Sequence, residues 1–223
     1  MATNLKRKPA RSRVILAAIA VLGLVAGAGV SYLSTADGPV DPRPQLLEAT
    51  VLFGQERAVP EFALKAHDGR PFDRSVLADQ WTLLFFGYTH CPDVCPVTMA
   101  ALNTMLSQAS AAKLREQLEV VFVSVDPQRD TLERLAAYVP FFNPDFVGVT
   151  GVEAQIKKLA TALGAAYLPG APGADGSYTV DHSSRLLLIG PGARFIAVLS
   201  DRTAPAVLAA DLSTILDAYA GGT

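Results

Sequence analysis

The sequence of 223 residues predicts an α/β domain with a mixed central sheet that is covered by helices. Two uninterrupted apolar runs, "WTLLFFGYT" and "LEVVFVSVD", are typical of strands that are buried on both faces. Each run is followed by a segment with helical periodicity, and this alternation favours a sheet with helices on both sides. Two further strands surround Pro191 and Gly192, just before the last predicted helix. Because such a hairpin is antiparallel, we expect the sheet to be mixed.

The N-terminus predicts a membrane anchor in front of this domain. Residues 1–13 contain five basic residues, and no acidic residue precedes Asp37. The twenty residues 14–33 carry no charge, and at about 1.5 Å per residue they would span roughly 30 Å, enough to cross a hydrocarbon core. A basic flank of this kind is expected to stay in the cytoplasm. A cleaved signal peptide and a mitochondrial targeting sequence are the alternatives.

A short tether is predicted between the anchor and the domain. Residues 34–45 contain three prolines and one glycine without apolar periodicity. The domain is then expected to comprise residues 46–223, on the periplasmic face of the inner membrane, with the mitochondrial inner membrane as the alternative location. After residue 33 the chain has 14 basic and 21 acidic residues. This excess of acidic residues argues against a nucleic-acid partner.

The other elements follow from patterns along the domain. "EFALKAHDGRPF" predicts two strands around a turn at Asp68 and Gly69. Helices are predicted for "VTMAALNTMLSQA", "DTLERLAAYVPFF", "VEAQIKKLATALG" and, at the end of the chain, "APAVLAADLSTILDAYA". In the second of these, Asp130 and Glu133 have the spacing of a capping box. Residues 167–180 are rich in glycine and proline and are expected to form a surface excursion.

The only two cysteines of the chain, Cys91 and Cys95, lie in the motif "CPDVCP" directly after the first buried strand. A proline after Cys95 is typical of the first helical position, so we expect Cys95 to be the N-cap of the helix that follows. Since a helix N-terminus favours a thiolate, both sulfurs are expected to be partly exposed and to have lowered pKa values. Asp93, between the cysteines, is a candidate for orienting a ligand or simply a polar loop residue.

The spacing of the cysteines leaves three interpretations open. A redox dithiol and a pair of soft metal ligands both fit a CxxxC motif, and a metal site needs a third group. A structural disulfide is the third interpretation, although closing so short a loop removes little entropy from the unfolded chain. His182 is the candidate third ligand, since His67 adjoins a turn and His90 is expected to point away from Cys91. Two thiolates with one imidazole would suit Cu(I) and leave zinc one ligand short.

Three motifs in this order, "GYTHCPDVCP", "SVDPQRDT" and "VDHSS", resemble those of the Sco/SenC family of copper-delivery proteins. The similarity runs from about Phe62 to the C-terminal helix. It implies a thioredoxin-like fold and copper held by Cys91, Cys95 and His182, as Cu(I) and in some states as Cu(II). It also implies a role in assembling the binuclear copper centre of cytochrome c oxidase, with oxidase subunit II as the copper acceptor.

The resemblance favours a membrane-tethered copper chaperone, which would also meet periplasmic copper carriers and thioredoxin-like reductants. The enzymatic alternative is a thiol-disulfide oxidoreductase in which Cys91 attacks and Cys95 resolves the mixed disulfide. A copper or redox sensor is the non-enzymatic alternative. A peroxidase is disfavoured because no acid-base group is evident around a single reactive cysteine.

Overall fold

The computed structural model of the protein describes residues 41–220. The predicted residues 1–13, the predicted anchor at residues 14–33 and most of the predicted tether lie outside the described residues. Among the helices within residues 41–220, none has the length and apolar character needed to cross a bilayer. Residues Asp41–Ala218 form one compact unit.

The described chain contains eleven strands and six α-helices, with short 3₁₀ turns at Arg43–Gln45 and Ala109–Ala111. The strands are β1 (Thr50–Val51), β2 (Arg57–Ala58), β3 (Ala63–Ala66), β4 (Pro71–Asp73), β5 (Trp81–Gly87), β6 (Leu118–Ser124), β7 (Val147–Thr150), β8 (Tyr167–Pro169), β9 (Val180–His182), β10 (Leu186–Gly190) and β11 (Arg194–Leu199). The helices are α1 (Arg74–Ala78), α2 (Val94–Ser107), α3 (Ala112–Gln117), α4 (Leu132–Phe142), α5 (Glu153–Ala162) and α6 (Pro205–Ala220).

The prediction of a mixed sheet covered by helices is confirmed. The main sheet has the order β1-β11-β10-β5-β6-β7-β3-β4, and β2 also pairs with β11. Strands β5, β6 and β7 run parallel to one another, whereas β10 is antiparallel to β5 and β3 is antiparallel to β7. Nearly every residue of β5 and β6 is buried. Since successive side chains of a strand point to opposite faces, both faces of the sheet centre must be covered.

Both predicted hairpins are present. The turn between β3 and β4 places Gly69 at a φ of 89°, and the turn between β10 and β11 places Gly192 at 76°. These left-handed values suit glycine, which has no Cβ to clash. Helix α5 likewise ends just before Gly164, which has a φ of 70°.

The polypeptide just after the predicted tether is attached to the last helix through Asp211. This carboxylate is almost completely buried and accepts the backbone N–H groups of Leu47, Glu48 and Ala49 at 2.7 to 2.9 Å. A buried carboxylate is stable only when such donors satisfy it. The start of the compact unit is therefore fixed to α6.

The glycine-rich excursion differs from a plain surface loop. Its two ends form β8 and β9, which pair only with each other in a two-stranded sheet. The residues between these strands are mostly exposed, as predicted. His182 is the last residue of β9, so the excursion delivers this side chain to the end of the main sheet where β5 finishes.

Candidate metal centre

The cysteine motif lies in the loop between β5 and α2. Strand β5 ends at Gly87, the Cys91 backbone N–H donates to the Tyr88 carbonyl at 3.1 Å, and α2 begins at Val94. The predicted N-cap at Cys95 is wrong, because Asp93 occupies that position and Cys95 lies in the first helical turn. The first turn tolerates Pro96 because its N–H groups have no helical acceptor in any case.

Three potential ligands converge at this loop. The ligand atoms of Cys91, Cys95 and His182 all lie within 4.8 Å of one another. His182 Nε2 lies 3.5 Å from Cys95 Sγ. Of the residues that the structure describes, these three form the only group of three histidine, cysteine or acidic side chains with metal-binding spacing.

The imidazole of His182 is oriented through its other nitrogen. Nδ1 lies 3.2 Å from the carbonyl oxygen of Ser183. When Nδ1 carries the proton it donates to this carbonyl, and the lone pair of Nε2 then faces Cys95. The ring also makes edge contacts with Phe85 and Tyr88, at centroid distances of 6.4 and 5.9 Å. These contacts give the ring a defined position beside the sulfurs.

The prediction of partly exposed sulfurs is wrong. Cys91 is 9% exposed and Cys95 is 0% exposed. Burial raises the pKa of the Cys95 thiol above its ordinary value; the Tyr88 backbone N–H opposes this rise, and the neighbouring Cys91 adds to it. Desolvation therefore outweighs the helix N-terminus at Cys95. Both cysteines are free thiols in the structure, so a metal ion must displace a proton to bind the Cys95 sulfur.

Gly87 leaves the space that the Cys95 sulfur occupies. A Cβ at this position would lie 2.8 Å from Cys95 Sγ and 2.6 Å from Phe122 Cε2. Real Cβ atoms essentially never approach so closely. The absence of a side chain at the end of β5 is therefore a condition for the observed sulfur position.

We expect Gly87→Ala to weaken copper binding by about 10-fold or more, because the added methyl must displace the sulfur or the Phe122 ring. The measurement is a Cu(I) competition titration of the purified variant. Gly148→Ala is the matched control, since its Cβ would meet Val139 Cγ2 at 2.9 Å rather than a sulfur. The control should lose stability and keep its copper affinity. Wild-type affinity in Gly87→Ala would contradict this interpretation.

The buried carboxylate of Asp130 stabilises the loop that carries Cys91. Asp130 is 0% exposed, and its oxygens accept the Thr89 backbone N–H at 2.9 Å and the hydroxyls of Thr89 and Ser124 at 2.6 Å. The predicted capping role of Asp130 is wrong, because Thr131 is the N-cap and its hydroxyl accepts from the Arg134 N–H. Asp130 instead fixes Thr89, two residues before Cys91, to the end of β6.

The remaining candidates lie outside the group of three ligands. His90 is exposed, with Nδ1 3.2 Å from the Thr89 hydroxyl and 3.8 Å from the Asp130 carboxylate. His67 accepts the Gly148 N–H on Nδ1 at 2.9 Å, which is a structural role. Asp93 is exposed and makes no side-chain capping hydrogen bond. None of these positions has the spacing of the three convergent donors.

The donor set is chemically suited to a soft cation. Two sulfurs and one imidazole nitrogen match the ligand preferences of Cu(I), whereas structural zinc sites use four ligands. The surrounding apolar side chains, including Phe85 and Phe122, limit the access of water. The residues present therefore fit a copper ion better than zinc.

Comparisons with known proteins agree with this geometry. A family model described as SCO1/SenC matches residues 52–217. A candidate copper-binding protein of Stutzerimonas stutzeri is 39% identical over 141 residues, which cover 63% of this chain and 68% of that protein. The mitochondrial SCO1 homolog of Homo sapiens is 36% identical over 159 residues, which cover 71% of this chain and 52% of that protein, or about half its length.

A solved structure shares the fold. The crystal structure of Arabidopsis thaliana ScoI with copper bound superposes with a TM-score of 0.64 at 30% identity, covering 73% of this chain and 100% of that chain. The mixed sheet and its covering helices therefore match the architecture of a copper-bound protein.

Proposed function

Because the chain belongs to the SCO1/SenC family, we propose that it is a copper chaperone that holds the ion between Cys91, Cys95 and His182. The observation that carries this proposal is the convergence of the three ligand atoms within 4.8 Å. The copper-bound Arabidopsis relative supports copper as the cargo. The acceptor that the resemblance implies is the binuclear copper centre of cytochrome c oxidase, in subunit II.

Uptake of Cu(I) as cargo requires both thiols to give up their protons. The two thiolates and the ion together carry a net charge of about −1. The N-terminus of α2, which contains Cys95, stabilises negative charge at this position. His182 contributes a neutral third ligand when its proton resides on Nδ1, against the Ser183 carbonyl. Cu(I) can therefore be held at a net charge of about −1, which the helix N-terminus offsets in part.

We propose that, during transfer to an acceptor, the ligands release copper in the order of their solvent exposure, the most exposed first. His182 is half-buried, Cys91 is 9% exposed and Cys95 is fully buried. An incoming acceptor sulfur can therefore replace His182 first and Cys91 next, while Cys95 keeps hold of the ion until the last exchange. Stepwise exchange of this kind keeps copper bound to protein ligands throughout the transfer.

We propose that the protein works at a membrane surface. The support for this location is the uncharged segment at residues 14–33 behind a basic flank. A single pass with residues 1–13 in the cytoplasm would place the copper site on the periplasmic face of the inner membrane. That location would keep the site close to a membrane-bound oxidase.

The second candidate function is a thiol-disulfide reductase, which the two adjacent free thiols favour. In this reaction the Cys91 thiolate attacks an acceptor disulfide, and one acceptor sulfur leaves as a thiolate. The Cys95 thiolate then attacks the mixed disulfide and releases the second acceptor sulfur, so that two electrons pass to the acceptor and a Cys91–Cys95 disulfide forms. His182 takes no part in these steps. The complete burial of Cys95 suits a resolving cysteine better than an attacking one.

His182→Ala distinguishes these two functions. We expect the variant to reduce a model disulfide at the wild-type rate but to fail to restore oxidase activity in a strain that lacks the native gene. The measurement pairs copper content and activity of the oxidase with the thiol state of its copper-binding subunit. A strain with His182→Ala that assembles a fully copper-loaded oxidase would exclude delivery of bound copper as the main function.

A further inference from the structure

The segment that carries His182 is held to the protein by few contacts. Strands β8 and β9 pair only with each other, and residues 168–177 between and within them are exposed. Val180 is buried and Tyr178 is half-buried. The main sheet begins again only at Leu186, four residues after His182. On its N-terminal side, His182 is therefore connected to the domain through its pairing with Tyr167 of β8 and through side-chain contacts of the excursion.

Tyr178 makes the central contacts of this segment. Its hydroxyl donates to Asp126 Oδ1 at 2.8 Å, and its backbone carbonyl accepts from Arg129 Nη1 at 2.9 Å. The guanidinium of Arg129 also lies over the Tyr178 ring, with Cζ 3.5 Å from the centroid. We call Asp126, Arg129 and Tyr178 the Arg129 clamp. In this clamp, the Arg129 side chain contacts both the backbone carbonyl and the ring of Tyr178.

The clamp is attached to the main domain near the end of β6. Asp126 is 3% exposed and lies two residues after the end of β6, and its backbone N–H donates to the Ser124 hydroxyl at 3.1 Å. Arg129 donates from Nε to Asp126 Oδ2 and from its backbone N–H to the Asp126 carbonyl at 3.2 Å. The excursion is therefore attached to a fixed point at the end of a central strand.

The clamp is also linked to the His182 imidazole through contacts with the Tyr88 ring. The Arg129 guanidinium lies 5.7 Å from the centroid of the Tyr88 ring. The Tyr88 ring also meets His182 edge-on at an interplanar angle of 88°, and its phenol oxygen is hydrogen-bonded by the backbone of Val180. Tyr88 thus contacts both the Arg129 guanidinium and the His182 ring.

Stability alone does not explain this arrangement. Within the described residues, Arg129 Nη2 is buried without a hydrogen-bond partner, and an unsatisfied buried donor costs free energy. A cavity of about 280 Å³, lined in part by Asp126, Pro169 and Tyr178, adjoins the clamp. Buried ion pairs are weak evidence for stability but define geometry well.

We propose that Arg129 and Tyr178 are positioning residues that hold His182 against the cysteine pair. This inference rests on the proposed copper-binding function. Opening the clamp would free the excursion and withdraw the imidazole, while the loop with Cys91 and Cys95, which Asp130 holds separately, would stay in place. Loss of the clamp is therefore expected to weaken the contribution of His182 to copper binding.

The test is a Cu(I) competition titration of the full chain, purified in detergent, against a chromogenic chelator. We expect Arg129→Ala to weaken Cu(I) binding by about 10- to 100-fold, towards the affinity of His182→Ala. Combining the two substitutions should cause no further loss, because both remove the same ligand. Tyr178→Phe, which removes only the hydroxyl, should fold as the wild type does and have a smaller effect in the same direction. Arg194→Ala, which breaks an ion pair with Glu56, is the matched control and should bind as the wild type does.

A metal-free measurement separates positioning from general stability. Ring resonances of His182 in Arg129→Ala should shift towards those of an exposed histidine, while those of His67 and His90 remain unchanged. Equal Cu(I) affinities of wild type and His182→Ala would overturn the proposed function itself. Two outcomes would overturn only the proposal about the clamp. In the first, His182→Ala binds Cu(I) more weakly while Arg129→Ala binds it as the wild type does. In the second, the effects of the two substitutions are additive in the double variant.

Discussion

Replacing Cys91 or Cys95 with alanine is expected to abolish high-affinity copper binding. Each substitution leaves one sulfur and one imidazole, and Cu(I) depends on soft sulfur ligands. Because loss of a supporting residue already costs about 10- to 100-fold in metal affinity, loss of a direct ligand should cost more than about 100-fold. The measurement is competition titration of the reduced protein with a Cu(I) chelator, with stoichiometry read at saturation.

The cysteine variants need a control for folding. Val97→Ala changes an exposed side chain in the same first turns of α2 and should bind copper as the wild type does. Thermal unfolding should show that the cysteine variants remain folded, since each substitution removes only one sulfur atom. One full equivalent of tightly bound copper in either cysteine variant would contradict the ligand assignment.

Asp130→Ala is expected to lower the free energy of unfolding by roughly 3 kcal/mol or more, since it leaves three buried donors from Thr89 and Ser124 without their acceptor. For a domain of this size, this corresponds to a decrease in Tm of about 6 to 12 °C. The measurement is urea unfolding followed by far-UV circular dichroism. The exposed carboxylate of Asp145 provides the control, because Asp145→Ala should change stability by less than about 0.5 kcal/mol. Similar stabilities of the two variants would show that Asp130 does not support the loop.

The centre of the fold was predictable from sequence because burial on both faces leaves a strong local pattern. The runs that became β5 and β6 are apolar almost throughout, and the hairpin of β10 and β11 is marked by Pro191 and Gly192. Strand β7 was not predicted, because "VGVT" is short and contains a glycine. Its strand conformation depends on pairing with β6 and β3, which are distant in sequence.

The site was only partly predictable. The CxxxC spacing identified the thiols, whereas His182 was chosen by setting aside His67 and His90 and was then supported by the family resemblance, because nothing local in "VDHSS" indicates which loop it meets. The burial of the sulfurs was mispredicted because the helix N-terminus is a local feature, while Phe122 and the end of β5 enclose Cys95 from elsewhere in the chain. The functions of Asp130, Arg129 and Tyr178 likewise arise from long-range contacts that spacing does not reveal.

The central claim is that an imidazole from β9 completes a copper site on a distant pair of sulfurs. Titration of the reduced protein with Cu(I), with wild type and His182→Ala side by side, tests this claim most directly. We predict one equivalent bound by both proteins, with the affinity of His182→Ala lower by more than about 100-fold. Indistinguishable binding curves for the two proteins would contradict the claim and leave a copper site made of the two sulfurs alone.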